Sequence, residues 1–245
     1  MGQRIRLGML TPSSNTVLEP TTTAMISGLP EVSAHFARFK VTEIALSASA
    51  LRQFQENDIL RAADLLADAR VDVIAWNGTS ASWLGFERDE ALCARITQAT
   101  GVPACTSVLA FRETLAAQGA RRIGLVTPYR GDVQAKIVAT WDAAGLACFA
   151  ERHLGLQDNY SFAEVSEDTV ADMVRAVAGE GCDAVAIVCT NMRGAKVAAA
   201  LEQELGIPVV DSVATALWKS LALAGADPAR VEGWGRLFRL PPLAS

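Results

Sequence analysis

Apolar runs and amphipathic stretches alternate along this chain. Residues 5–10, 71–76, 122–126 and 184–188 form short apolar runs with the character of buried strands. Between them lie alanine-rich segments with helical spacing, such as 59–69 and 170–178. That alternation predicts βαβ units built on mostly parallel sheets.

The pattern also repeats. Leu7-Gly8-Met9-Leu10-Thr11-Pro12 returns as Ile123-Gly124-Leu125-Val126-Thr127-Pro128. Asp72-Val73-Ile74-Ala75 with Gly78-Thr79 returns as Asp183-Ala184-Val185-Ala186 with Cys189-Thr190. Gly101-Val102-Pro103 before Ser107 returns as Gly206-Ile207-Pro208 before Ser212. The offsets are 116, 111 and 105 residues, so order is kept while spacing drifts slightly. Any one match could arise from convergent strand–turn chemistry, but three in order favour a duplicated α/β unit. The expected fold is therefore α/β, with two pseudo-symmetric lobes, each a mostly parallel sheet flanked by helices. The first lobe would comprise residues 1–105 plus 213–245 and the second residues 106–212, with the active site in the cleft between them.

Ligands of parallel sheets bind beyond the carboxyl ends of strands, and here those ends carry the polar residues. They are Thr11-Pro12-Ser13-Ser14-Asn15, Asn77-Gly78-Thr79-Ser80, Thr127-Pro128-Tyr129 and Cys189-Thr190-Asn191. Ser13, Ser14, Asn15, Thr79, Ser80 and Thr190 are good N-cap types, and capping alone would explain any one of them. Four such turns converging on one cleft would instead make an anion pocket from hydroxyls, amides and free N–H groups. No Gly-x-Gly-x-x-Gly follows the first strand, which disfavours nucleotide binding.

Composition narrows the chemistry. The 245 residues suffice for one large or two small α/β domains, and the net charge of −5 with scattered basic residues argues against nucleic acid. No stretch reaches the ~18 uninterrupted apolar residues of a membrane helix, and Met1-Gly2-Gln3-Arg4 leads directly into a strand-like run. A cytoplasmic protein is expected. Five cysteines, without a Cys-x-x-Cys pair, suit reduced thiols better than a disulfide scaffold or a zinc site. His35 and His153 have no nearby ligand partners and read as surface or packing residues. Neither a metal nor another cofactor is expected.

Of the cysteines, Cys189 follows a buried-strand pattern and starts a turn. A helix N-terminus can lower a thiol from ~8.5 toward neutrality, which suits a nucleophile or a proton carrier. The alternative is an inert structural thiol, the reading given to Cys93, Cys105, Cys148 and Cys182. The counterpart of Cys189 in the first half is Gly78, so an acid/base position on that side is expected to be vacant. Trp76, Trp83 and Leu84 flank the Gly78 turn and either line a pocket or pack the core.

On these residues the chain resembles the aspartate/glutamate racemase superfamily, and within it the branch of maleate cis–trans isomerases and arylmalonate decarboxylases. Pro12-Ser13-Ser14-Asn15, Thr127-Pro128-Tyr129, Leu156-Gln157-Asp158-Asn159 and Cys189-Thr190-Asn191-Met192 look like the isomerase pattern. Gly78-Thr79-Ser80 and Gly233-Trp234-Gly235-Arg236-Leu237-Phe238 look like the decarboxylase pattern. The resemblance implies two lobes with the active site between them. It also implies that isomerases and racemases use one cysteine per lobe, whereas the decarboxylases keep only the second.

By that resemblance Cys189 would protonate an enediolate left after loss of CO₂. Thr79, Ser80 and Tyr129 would hold the remaining carboxylate, with help from the backbone near Cys189, and Asn15 and Asn159 fall where isomerases hold a substrate carboxylate. Ser14, Gly78, Thr190 and Asn191, in the same turns, are counted with them as substrate-binding. The leading expectation is a cofactor-independent decarboxylase of malonate-type or related dicarboxylic acids. The alternatives are a maleate isomerase or Asp/Glu-type racemase, and a catalytically reduced member that only binds a carboxylate. The implied partner is a small carboxylic or dicarboxylic acid, and a homo-oligomer is compatible with this reading.

Overall fold

Leu7, Met9 and Leu10 in one half and Ile123, Leu125 and Val126 in the other are wholly shielded from solvent. Each trio belongs to an inner strand of its own sheet. A computed structural model describes residues 4–54 and 56–241; Met1–Gln3 of the leading segment lie outside the described residues.

The first sheet contains β1 (Ile5–Pro12), β2 (Val32–Phe39), β3 (Val73–Trp76) and β4 (Ala104–Thr106). The second contains β5 (Ile123–Tyr129), β6 (Cys148–Leu156), β7 (Ala184–Ile187) and β8 (Val209–Asp211). The strand orders are β2-β1-β3-β4 and β6-β5-β7-β8, all neighbours running parallel. The repeat in the sequence is thus a repeat of topology. Register matches as well: Trp76 pairs with Thr106 in the first sheet, and Ile187 pairs with Asp211 in the second.

The edge strands β2 and β6 were not among the expected apolar runs. They carry Ser33, His35 and Arg38, and Glu151, Arg152 and His153, on half-exposed faces, so their hydrophobic signal is diluted. His35 approaches Ser33, and His153 pairs with Glu151 at 2.8 Å.

The first lobe carries α1 (Leu18–Met25), α2 (Ala48–Arg52), α3 (Glu56–Asp68), α4 (Ala81–Leu84) and α5 (Phe86–Thr100). Next come α6 (Ser107–Ala117), α7 (Gly131–Ala143), α8 (Glu167–Ala178), α9 (Gly194–Leu205) and α10 (Ser212–Leu223). In the two central strands a Cβ on Gly8 would come within 3.0 Å of Val71 and 3.3 Å of Leu66 of α3, and one on Gly124 within 2.9 Å of Val177 of α8, so the covering helices approach closely there. Helix α6 leaves β4 and packs along α10, which in turn rests on β3 and β4, while α4 packs on α7 across the halves. Among the described residues no helix is long and apolar enough to cross a membrane.

Asp89 of α5 is buried, and one of its oxygens has no partner. Burial pushes its carboxyl up to about 7, against a hydrogen bond from Thr106 that lowers it. The folded protein therefore keeps this proton at a pH where the unfolded chain has lost it. Stability from this group is full below the unfolded value of 3.8 and is lost as pH rises toward about 7. Asp89→Asn should remove that share of the slope. The variant is expected to melt above the wild type near pH ~8 and level with it near pH ~4; equal melting curves at both would contradict the buried-acid assignment.

Candidate active site

Four strand ends converge at the seam between the sheets, and the enclosed space there is small, about 20 Å³, room for about one water. Its polar lining comes from Gly78, Thr79 and Ser80 after β3, Tyr129 at the end of β5, Asn159, and Cys189 and Thr190 after β7. Its apolar lining is Pro12, Val41, Ile44, Phe54, Trp76 and Trp83.

Cys189 is buried. Burial pushes its thiol up to about 12, although the Tyr129 hydroxyl and the N–H groups of Asn191 and Met192 favour the thiolate. The expected lowering by a helix start is therefore outweighed. The turn ends at Arg193 before α9 begins, and loss of hydration dominates. At neutral pH the group is a protonated thiol, suited to giving a proton. Tyr129 is held well above its ordinary value by burial, then by the neighbouring thiol. Its hydroxyl lies 2.7 Å from Thr79 Oγ1 and shares the pocket with the Cys189 thiol.

The space on the Gly78 side, where no acid/base stands, is filled by an indole. A Cβ built on Gly78 would lie 1.9 Å from Cζ2 of Trp76 and 2.4 Å from two further ring atoms. Trp76 is itself buried and packs on Phe39 with centroids 5.1 Å apart. Of its two sequence readings, core packing and pocket lining, the indole fulfils both. Ser107 Oγ donates to the Gly78 carbonyl at 2.6 Å and fixes the turn from below.

Several residues expected to hold substrate also join the lobes in this structure. Asn15 Nδ2 donates to Thr190 Oγ1 at 3.1 Å, and Thr190 Oγ1 donates to the Asn77 carbonyl at 2.9 Å. Asn15 Oδ1 accepts the N–H groups of Val17 and Leu18, so Asn15 caps α1. Ser13 and Ser14 hydroxyls reach the Val41 carbonyl, and neither Ser80 nor Thr190 caps a helix through its side chain. Asn191 Oδ1 accepts from the Thr16 N–H at 3.0 Å, and its Nδ2 donates to the Asn159 carbonyl at 2.6 Å. Asn159 Nδ2 donates to Ser14 Oγ at 2.7 Å. Ser14, Asn15 and Asn191 thus stand behind the pocket wall, while Gly78, Thr79, Ser80, Tyr129, Asn159, Cys189 and Thr190 face it.

The roof was not legible in the sequence. Residues 40–54 cross the cleft as a strap, and Val41, Ile44 and Phe54 close the pocket from it. The Ile44 N–H donates to Gln157 O, the Asn159 N–H donates to Thr42 O, and Glu43 bridges Asp158. The apolar residues of this segment follow neither a sustained strand nor a long helix period, so they offered no clear signal.

The profile of the arylmalonate decarboxylase family matches residues 8–238, and the chain belongs to that family. Arylmalonate decarboxylase of Bordetella bronchiseptica is 32% identical over 169 residues, 68% of this chain and 70% of that protein. Maleate isomerase of Nocardia farcinica is 32% identical over 249 residues, 98% of this chain and 97% of its own. The solved Nocardia farcinica maleate cis–trans isomerase with a covalently bound succinylcysteine intermediate is 26% identical. It has a TM-score of 0.88, covering 98% of this chain and 100% of that one. The relatives are enzymes, and their names divide between decarboxylation and isomerisation.

If Asn191 serves mainly as an interlobe clip, Asn191→Ala frees the N–H of exposed Thr16 to water and leaves one buried group, the Asn159 carbonyl, unpaired. Such a loss typically costs about 1–3 kcal/mol, and each kcal/mol moves a domain of this size by about 2–4 °C. A fall of about 2–10 °C in melting temperature is expected. An unchanged melting curve would show that the clip contributes nothing.

Proposed function

We propose that this protein is a cofactor-independent decarboxylase of malonate-type or related dicarboxylic acids, with Cys189 as proton donor. The observation that carries the reading is the one-sided site. One thiol lines the pocket among the described residues, and the opposed position is Gly78 beneath the Trp76 indole.

The retained carboxylate would lie against Thr79, Ser80 and the Tyr129 hydroxyl, donors already directed into the pocket. The departing carboxylate would face Val41, Ile44, Phe54 and Trp83, where an anion is poorly solvated. Heterolysis of the C–C bond sends its electron pair into the retained carboxylate as an enediolate and releases CO₂. Preorganised donors stabilise that charge, one such donor being worth about 3 kcal/mol. Cys189 then gives its proton to the α-carbon, and the thiolate is recharged from solvent. A thiol held well above its usual range keeps its proton until the strongly basic carbon forms, which favours general-acid over nucleophilic work. A space near 20 Å³ is smaller than any diacid, so binding requires the strap or the Trp76 ring to yield.

A second reading is maleate isomerisation, favoured by the 98% coverage of the Nocardia farcinica match. It would have to proceed with Cys189 as the pocket's thiol.

Incubation with aryl- and alkylmalonates, maleate and aspartate, followed by NMR in D₂O, separates the two. CO₂ loss with one deuterium entering a single enantiomer is expected, and fumarate from maleate without malonate turnover would overturn the proposal. Cys189→Ala and Cys189→Ser should each lose about 10²-fold or more in kcat. Near-wild-type turnover by either removes Cys189 from the mechanism.

Residue 78 gives a further prediction. Gly78→Cys alone must displace a buried indole, so it should lose stability on the scale of overpacking, about 1–3 kcal/mol, and gain no proton exchange. Gly78→Cys together with Trp76→Ala should place a second thiol opposite Cys189 and racemise an α-substituted carboxylic acid. The readout is solvent deuterium incorporated with loss of optical activity. Exchange by the single variant at an unchanged melting temperature would show that Trp76 does not hold that space.

A further inference from the structure

The two strand-end positions that pair beside the catalytic turns differ chemically. In the first lobe Trp76 pairs with Thr106, two residues before Gly78; in the second, Ile187 pairs with Asp211, two residues before Cys189. Both Thr106 and Asp211 cap the following helix. Thr106 Oγ1 accepts the Leu109 N–H at 3.1 Å, and Asp211 Oδ1 accepts those of Val213 and Ala214 at 2.8 and 3.2 Å. A neutral hydroxyl therefore suffices for the cap, and the second carboxylate oxygen is surplus to it. Asp211 Oδ2 is buried without a partner, as is the neighbouring Ser212 Oγ. That oxygen lies against Gly194, the first residue of α9, where a Cβ would come within 2.6 Å of it. The carboxyl is thus set between the N-terminal ends of α9 and α10, which favour negative charge, beneath the turn that carries Cys189.

We propose that Asp211 is a positioning residue for Cys189, a buried carboxyl near the thiol's turn that, when ionised, biases the sulfur toward its proton-bearing form. The proposal rests on Cys189 acting as the acid, and its geometry gives the asymmetric site a second, hidden asymmetry. The lobe with the thiol has the carboxyl at the strand end. The lobe without it has Thr106 there, with Asp89 reaching that threonine from α5. Once Cys189 has given its proton away, a nearby anion raises the free energy of the thiolate left behind and promotes its recharging.

The charged groups on the packed elements are otherwise engaged. From α9, Lys196 pairs with Glu167, Glu202 with Arg236 and Glu204 with Arg175, while Arg193 ahead of the helix is exposed. From α10, Lys219 pairs with Glu113 of α6. From the sheet, Cys189 and Tyr129 are the titratable groups of the adjoining turns. The groups that favour the Asp211 anion are the N–H groups of Ser212, Val213 and Ala214, and burial pushes the carboxyl up to about 7. Its charge adds to the burial that raises Cys189.

The test reads Cys189 directly, by iodoacetamide alkylation across pH resolved by peptide mass spectrometry. It is run on the wild type, Asp211→Asn and Asp211→Thr, both of which retain a capping side chain. In the wild type, ionisation of Asp211 should depress Cys189 reactivity relative to a single thiol titration, giving an inflection near pH 7. In both variants that inflection should vanish and reactivity above it should rise about tenfold, a shift of about one pH unit. The pH profile of kcat should move with it. A wild-type curve that follows one thiol titration overturns the proposal even if neither variant folds. So do folded variants whose alkylation profiles superimpose on the wild type. Because alkylation needs no substrate, a failure of the decarboxylase reading would appear in the NMR assay while this result stood.

Discussion

The hydroxyl of Thr190 is shared between the two lobes: it donates to Asn77 O after β3 and accepts from Asn15 Nδ2 after β1. Asn191, the next residue, takes the Thr16 N–H and gives a hydrogen bond to Asn159 O. Four strand ends are therefore tied through two consecutive residues of the turn that carries Cys189. Asn15, Asn77, Asn159, Thr190 and Asn191 are buried, and their polar groups left unpaired would each be expensive. The thiol's position is consequently set by both sheets at once. Moving one lobe relative to the other would break hydrogen bonds that water cannot replace in a closed seam.

The same closure sets the chemistry. Sealing the seam with Val41, Ile44 and Phe54 removes hydration from Cys189 and Tyr129 together, and each holds its proton more tightly than it would in water. A dry site of this kind strengthens the donors aimed into it, because no solvent competes for them. It also disfavours a free thiolate or phenolate. Proton donation to a basic carbon gains from both effects, whereas attack by a resting thiolate gains from neither.

Much of this could be read from the residues alone, and the parts that could not share a cause. The Gly-x-x-Thr-Pro and Gly-x-Pro repeats are local signals, and each corresponds to an inner strand or a strand approach in the structure. The four polar turns and the singular place of Cys189 were legible for the same reason. Long-range contacts were not. Nothing near Gly78 in the chain announces that the Trp76 ring folds back over it, since that depends on Phe39 from another strand. Asn15, Ser14 and Asn191 are of the types that bind carboxylates, but their contacts with Thr190, Val41 and Thr16 join segments far apart in the chain, which no local pattern announces. A helix start suggested an acidified thiol, but burial, which no single segment encodes, has the larger effect.

Duplication supplies two equivalent strand ends, and the function read here depends on where the copies differ. The pairs are Gly78 against Cys189, Trp76 against Ile187, and Thr106 against Asp211, all adjacent through strand pairing or sequence. These differences support one another physically. Where the turn has no side chain, a large indole can lie across it; where the turn carries a thiol, the strand residue behind is a smaller aliphatic and the neighbouring cap is a carboxyl. Reversing one member alone would create a clash or a misplaced charge. Symmetry of the backbone thus brings two turns face to face, while coupled asymmetry of the side chains leaves one face with a thiol and the other filled by an indole.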